Sequence, residues 1–173
     1  MPDPLLALLG DTTAFHDKLA ARVGALGIDT RPMSLSHLCV RVGTMDAYRS
    51  LRDGLISVGE GYTENDFNGR PVSLIELRDK PRLGGKVFAL VELPAPRAAH
   101  EYADGLEHVG WVVAGPFGDF FDNHRAVLSG IKDRGEDFQP AFISFDDGAT
   151  AKFYPKPLRE VVEAEGGVFR AVG

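Results

Sequence analysis

Two stretches of the chain, HLCVRV at 37–42 and HVGWVV at 108–113, open with histidine, continue as mainly apolar runs of strand length, and stand 71 residues apart. Each is followed by a helical pattern and then by further strand patterns, so the chain reads as a duplicated βαβββ module. No other feature limits the fold as strongly, because two half-sheets built on one plan have to share a core. The fold class expected is α+β: paired βαβββ modules forming a half-open curved sheet, with helices outside and an additional N-terminal helix. The 173 residues suit one domain spanning 1–173. Within it we place an N-terminal helical segment at 1–30, a first module at 35–93, a linker at 94–105, a second module at 106–155 and a C-terminal helix at 156–173.

Local signals fill in the modules. Asp11, Thr12 and Thr13 offer caps to a helix in which Phe15, Leu19, Val23 and Leu26 recur at helical spacing, stopped at Gly24 and Gly27. LSHLCVRV (35–42) is a strand, and 44–58 a helix opened by Thr44 with Met45, Tyr48, Leu51, Leu55 and Val58 as its apolar stripe. Strands follow at 61–66, 71–77 and 86–93, separated by turns at Asn68-Gly69 and Gly84-Gly85. In the second half, GLEHVGWVV (105–113) is a strand, 116–134 a helix, 141–146 and 149–154 a hairpin around Asp147-Gly148, and 157–165 a helix ending at Gly166-Gly167. The second module is either shortened or has its first hairpin strand near Asp137–Pro140.

Composition removes several classes of function. Acidic residues outnumber basic ones by 25 to 19, and no Lys/Arg stripe forms, so no nucleic-acid partner is expected. The single Cys39 rules out an internal disulfide or a Cys-rich zinc site and suits a reducing compartment, so a cytoplasmic location is expected. The opening MPDPLLALLG lacks the basic flank of a signal peptide, and no run approaches the roughly 18 apolar residues of a membrane span. The expected partner is a small-molecule ligand or substrate, with monomer and homodimer both open.

Strand pleating sorts the titratable residues onto faces. His37 and His108 point away from the Leu38/Val40/Val42 and Val109/Trp111/Val113 sets that suit packing against helices, so both line the inner side of the paired sheets. Glu92 lies late in a strand on the face of Phe88 and Leu90, and Arg41 shares the face of His37. Strict alternation turns Glu107 to the other side, toward solvent or a helix, with a role in supporting a histidine of a neighbouring strand as the alternative. Two imidazoles and one carboxylate facing a common hollow match a 2-His-1-carboxylate metal site; a pair of core histidines, each satisfied by one hydrogen bond, is the competing account.

The double βαβββ plan, with histidine near the start of strands one and five, resembles the vicinal oxygen chelate superfamily, which includes glyoxalases and extradiol dioxygenases. More specifically, TENDFNGRPVSLIEL (63–77), VELPAP (91–96), LEHVGWVV (106–113) and DGATAKFYP (147–155) resemble the small bacterial YecM family, over roughly residues 30–165. The resemblance implies metal ligands from the first and last strand of each module: His37, Glu92 and His108, with Lys152 where the superfamily usually carries Glu. The YecM pattern itself has lysine in the KF segment. The implied cofactor is a divalent ion (Fe, Mn, Ni, Zn or Co) and the implied chemistry that of an isomerase, lyase or dioxygenase acting on an oxygen-chelating substrate. A glyoxalase-type proton shuttle uses the final-strand carboxylate, so Lys152 speaks against that branch.

Alternatives stay open on residues alone. Lys152 pairing with Glu92 would leave no place for a metal. A metal-free pocket using Lys152 and Arg41 would instead be a binding module for an anionic or aromatic ligand. Arg70, in the Asn68-Gly69-Arg70 turn, and Asn65 are candidate anion clamps over a pocket mouth, against the plainer reading of a solvated turn arginine. Cys39 reads as a small buried hydrophobe, and His16, His100 and His124 are read as surface residues.

Overall fold

The computed structural model describes residues 3–98, 101, 103–131 and 139–173. His100 and part of the 116–134 and 137–140 stretches therefore lie outside the described residues. The chain opens with α1 (Pro4–Leu9), capped by Asp3, and α2 (Thr12–Ala25), capped by the Asp11 side chain on the amide of Ala14. The first module is β1 (Ser34–Arg41), α3 (Met45–Ser57), β2 (Gly59–Phe67) and β3 (Arg70–Leu77). Two short strands, β4 (Arg82–Leu83) and β5 (Lys86–Val87), come next, and β6 (Leu90–Pro94) closes the module. The second module is β7 (Gly105–Val112), α4 (Phe117–His124), β8 (Gly130–Ile131), β9 (Ala141–Ser144) and β10 (Thr150–Tyr154). The short helix α5 (Leu158–Ala164) and β11 (Arg170–Ala171) end the chain.

Nine strands join one sheet in the order β11-β2-β3-β6-β1-β7-β10-β9-β8. The two modules meet at β1 and β7, which pair antiparallel. On either side of that seam the first strand of a module pairs parallel with its last, β1 with β6 and β7 with β10. The registers correspond as well: Glu92 stands opposite Cys39, two residues beyond His37, and Lys152 opposite Gly110, two residues beyond His108. Glu92 and Lys152 are thus equivalent positions of the repeat.

The outer face carries the main core. Leu38, Val91, Val109, Trp111, Ala151 and Phe153 are completely or nearly completely buried there, with Leu19 and Val23 of α2 and Tyr48 and Leu55 of α3. Thr44 caps α3 through a bond from the amide of Ala47, as the sequence predicts. Asn68 and Gly69, with φ of 53° and 80°, make the tight turn between β2 and β3, where two consecutive positive φ angles suit Asn-Gly.

Several expectations change. The expected strand 86–93 is split: β5 pairs with β4 in a separate two-stranded ribbon, Phe88 turns into the outer core, and only β6 joins the main sheet. The helix expected over 116–134 ends at His124, and Gly130–Ile131 supplies the hairpin strand of the second module, ahead of the place expected for it. Gly130 suits that strand position opposite Phe142, since a β-carbon there would press on the ring at 3.2 Å. The helix expected at 157–165 forms as α5, but the 156–173 segment also holds β11, which pairs with β2 at the sheet edge. Finally, α5 is not outside: Leu158, Val161 and Val162 pack with Leu74, Leu90 and Tyr154 in a second, smaller core on the inner face. Among the described residues no helix is long and apolar enough to cross a membrane.

The outer core depends on Phe153, whose ring stacks on Trp111 at 5.9 Å and tilts against Phe120 at 5.0 Å. Phe153→Ala is expected to cost about 3–5 kcal/mol and to lower the thermal midpoint by on the order of 10 °C. Thermal unfolding followed by circular dichroism checks this; a shift under about 3 °C would mean that the ring is not a core element.

Candidate functional site

The seam between β1 and β7 is irregular at two places, and both adjoin a histidine. Leu35 pairs with Trp111 and His37 with Gly110, so Ser36 has no partner; Cys39 pairs with His108 and Val40 with Leu106, so Glu107 has none. Each is a β-bulge, which re-aims a side chain out of strict alternation. Both bulged residues then reach the histidine that follows them. Ser36 Oγ lies 2.8 Å from His37 Nδ1 and also accepts the amide of Leu158 at the start of α5, at 2.8 Å. The Glu107 carboxylate accepts a hydrogen bond from His108 Nδ1. The outward placement of Glu107 expected from alternation is therefore overturned, and the bulge is the reason.

With both Nδ1 atoms engaged, the two Nε2 atoms face each other at 3.0 Å. Glu92 Oε2 completes a triangle, 3.2 Å from His37 Nε2 and 3.1 Å from His108 Nε2. All three residues are buried, and Glu92 Oε2 has no aligned hydrogen-bond donor. Gly110 makes the room: a β-carbon there would lie 2.5 Å from His37 Cε1. Sequence reasoning missed Gly110, although a glycine inside a strand pattern signals close approach of a neighbour.

Burial, the largest influence on His37, pushes its pKa down to about 4 against the opposing pull of Glu92, so the ring is neutral at pH 7. Burial alone would raise the Glu92 carboxyl, but the His108 and His37 rings outweigh it and hold Glu92 well below the usual carboxylate range. Glu107 behaves likewise: burial raises it, and His108, with Lys152 and Arg41 beyond, holds it well below. Cys39 is pushed well up by burial, with Glu92 and Glu107 adding to the effect, which leaves an inert thiol.

Two imidazole nitrogens and an ionised oxygen facing one another this closely repel unless a proton or cation lies among them. Atoms bound at 2.0–2.2 Å to one ion stand roughly 2.8–3.1 Å apart when the angle at the ion is near 90° and roughly 3.3–3.6 Å apart when it is tetrahedral. The observed 3.0 and 3.1 Å fit the first arrangement, and 3.2 Å lies between the two. The donor set therefore fits a divalent ion.

A cavity of about 210 Å³ opens beside the triangle, lined among others by Glu92, His108, Lys152, Arg41, Arg70 and Tyr154. Lys152 is buried on β10, and among the described residues it forms no ion pair, so the expected alternative of a Lys152–Glu92 pair is not formed. Arg41 Nε lies 3.4 Å from Glu107. Arg70 lines the cavity and donates to the carbonyl of Ala95, whereas Asn65 does not line it. His16, expected at the surface, is buried against Trp111, and His124 is half-buried with Nδ1 on the carbonyl of Phe120.

Comparison with known proteins places this chain. The model of the YecM protein family matches residues 5–139. The chain belongs to the YecM family. Protein YecM of Escherichia coli K12 is 28% identical over 178 residues, covering 94% of this chain and 95% of that one. An uncharacterized protein of Haemophilus influenzae is 27% identical over 109 residues, 63% of this chain and 57% of that one. The solved structure of protein EC4020 superposes with a TM-score of 0.76 at 26% identity, covering 94% of this chain and 93% of that one. The resemblance to YecM carried by residues 63–77, 91–96, 106–113 and 147–155 is thus borne out, and the curved sheet of a YecM-type fold with it.

In chelator-treated protein, stability is expected to follow the protonation of His37. Folded, the ring takes up its proton near pH 4; unfolded, near pH 6.5. Between those values the unfolded chain binds more protons, so stability is full above about pH 6.5 and falls as pH drops toward 4. Glu92 and Glu107, held below their ordinary 4.5, add a further loss below that value. Urea midpoints measured from pH 7 to 5 check this, and a midpoint that rises as pH falls would exclude a buried neutral His37.

Proposed function

We propose that this YecM-family chain binds one divalent metal ion through His37, His108 and Glu92 and acts on a small substrate presenting two adjacent oxygens, in the manner of the vicinal oxygen chelate superfamily. The observation that supports it above all is the triangle of three buried donor atoms, 3.0–3.2 Å apart, whose carboxylate oxygen lacks a hydrogen-bond donor. The paired βαβββ plan, with ligands on the first strand of each module and the last strand of the first, agrees with it.

Bound there, an ion would act as a Lewis acid on the substrate oxygens. The remaining work falls to the chain itself. Glu107 holds the His108 ring from Nδ1 and turns Nε2 toward the triangle, and Ser36 fixes the His37 ring from its other nitrogen. Leu74, Leu90 and α5 form an apolar cluster with Tyr154, whose ring meets the His37 ring edge-on at 5.2 Å. Lys152 and Arg41, facing the cavity, are the residues assigned to substrate. Lys152 supplies an ammonium where a glyoxalase-type shuttle needs a carboxylate base, so lyase-like or dioxygenase-like chemistry suits the site better than isomerisation. Two histidines with one carboxylate are compatible with Fe, Mn, Ni, Zn or Co.

Elemental analysis of protein purified without chelator is expected to find close to one ion per chain, lost in both His37→Ala and His108→Ala. Glu107→Gln is expected to weaken metal affinity by roughly 10- to 100-fold, read by competition with a chelator. Substoichiometric metal that none of these changes alters would refute the metal reading and leave a metal-free binding module.

A further inference from the structure

The cavity beside the triangle differs in charge from the rest of the molecule. The chain carries a formal net charge of −6, yet Arg41, Arg70, Arg97 and Lys152 all line this one hollow, with Glu92 as the carboxylate among its lining residues. Arg41 is partly committed to Glu107, and Arg70 to the carbonyl of Ala95. Lys152 and Arg97 are different. Lys152 is 7% exposed, and among the described residues neither it nor Arg97 has a carboxylate within ion-pair distance. Glu107 acts on Lys152 only from beyond ion-pair distance and is already tied to His108 and Arg41, so this buried lysine lacks a directly paired counter-ion, which is costly to fold around. A cationic hollow in an acidic protein concentrates anions by focusing the field.

Position adds to charge. Lys152 is the repeat-equivalent of Glu92, so it approaches the hollow from the opposite module, across from the triangle's acid. Arg97 follows β6, just beyond Pro94, at the rim. A ligand held at the triangle by one end therefore meets cations at the other. The volume of about 210 Å³ is below the roughly 300 Å³ at which drug-sized pockets begin, which limits the ligand to a small acid.

We propose that the substrate is a small acid with two anionic groups, a 2-hydroxy or 2-oxo dicarboxylate being the chemical class that fits. Its hydroxy-acid or keto-acid end offers the adjacent oxygens, an assignment that rests on the metal reading above. Its second carboxylate is seated by Lys152 and Arg97, which does not depend on metal.

Isothermal titration with malate, lactate and succinate separates the two ends. Mn-loaded protein is expected to bind malate roughly 10- to 100-fold more tightly than lactate, which lacks the second carboxylate. Lys152→Met removes that preference, bringing malate down to the affinity of lactate in protein whose Mn content per chain has been measured. Arg97→Gln, at an exposed rim position, reduces the preference in the same direction. In excess chelator, succinate still binds wild-type protein and fails to bind Lys152→Met. If Mn does not bind but the chelator arm behaves as stated, the metal reading fails and the anion seat stands. Equal affinity for malate and lactate, or a preference that survives both substitutions, overturns the proposal. Tighter binding of phosphoglycolate than of malate would reassign the second group to a phosphate and overturn the dicarboxylate class.

Discussion

The antiparallel pairing of β1 with β7 governs everything on the inner face. That seam joins the two modules, and its bulges at Ser36 and Glu107 break the pleat immediately before each histidine. A regular ladder would have sent both residues to the outer core, where a carboxylate has no partner. Displaced instead to the histidine side, they occupy both Nδ1 atoms and leave two Nε2 atoms aimed at Glu92. The loss of ladder hydrogen bonds at two positions is thus coupled to the orientation of both rings.

The site also has to be tolerated by the fold. Burying two histidines, two carboxylates and a lysine would oppose folding by several kcal/mol per uncompensated charge. The arrangement limits that cost by keeping His37 neutral and tying Glu107 to His108 and Arg41, while Lys152 faces a cavity that Glu92 also lines. The compensating apolar burial lies on the opposite side of the same strands, where Leu38, Val109, Trp111 and Phe153 alternate with the polar set. One sheet therefore separates stability on its outer face from chemistry on its inner face.

Much of this was legible from the residues. The 71-residue repeat announced the paired modules, and alternation placed His37, His108, Arg41 and the Val/Trp sets on their faces without error. Alternation failed at Glu107 because a bulge inserts one residue into the count, and no local composition marks that position. The 116–134 stretch carries helical spacing in its phenylalanines, yet Gly130 and Ile131 pair with β9, a long-range contact that helical spacing does not encode. The split of 86–93 arises because Phe88 is drawn into the outer core between β5 and β6. Ser36 and Gly110 escaped notice because their importance lies in what they touch across the seam, which periodicity does not encode.

The short helix α5 ties the last part of the chain to the chemistry. Its first amide bonds Ser36, the residue that steadies His37, and its leucine and valines cover Leu74, Leu90 and Tyr154. A chain cut after Tyr154 would uncover a greasy floor beside the triangle, and β2 would lose its β11 neighbour to become a bare sheet edge. The tail is therefore a cover for the apolar floor next to His37, and purification handles belong at the other terminus.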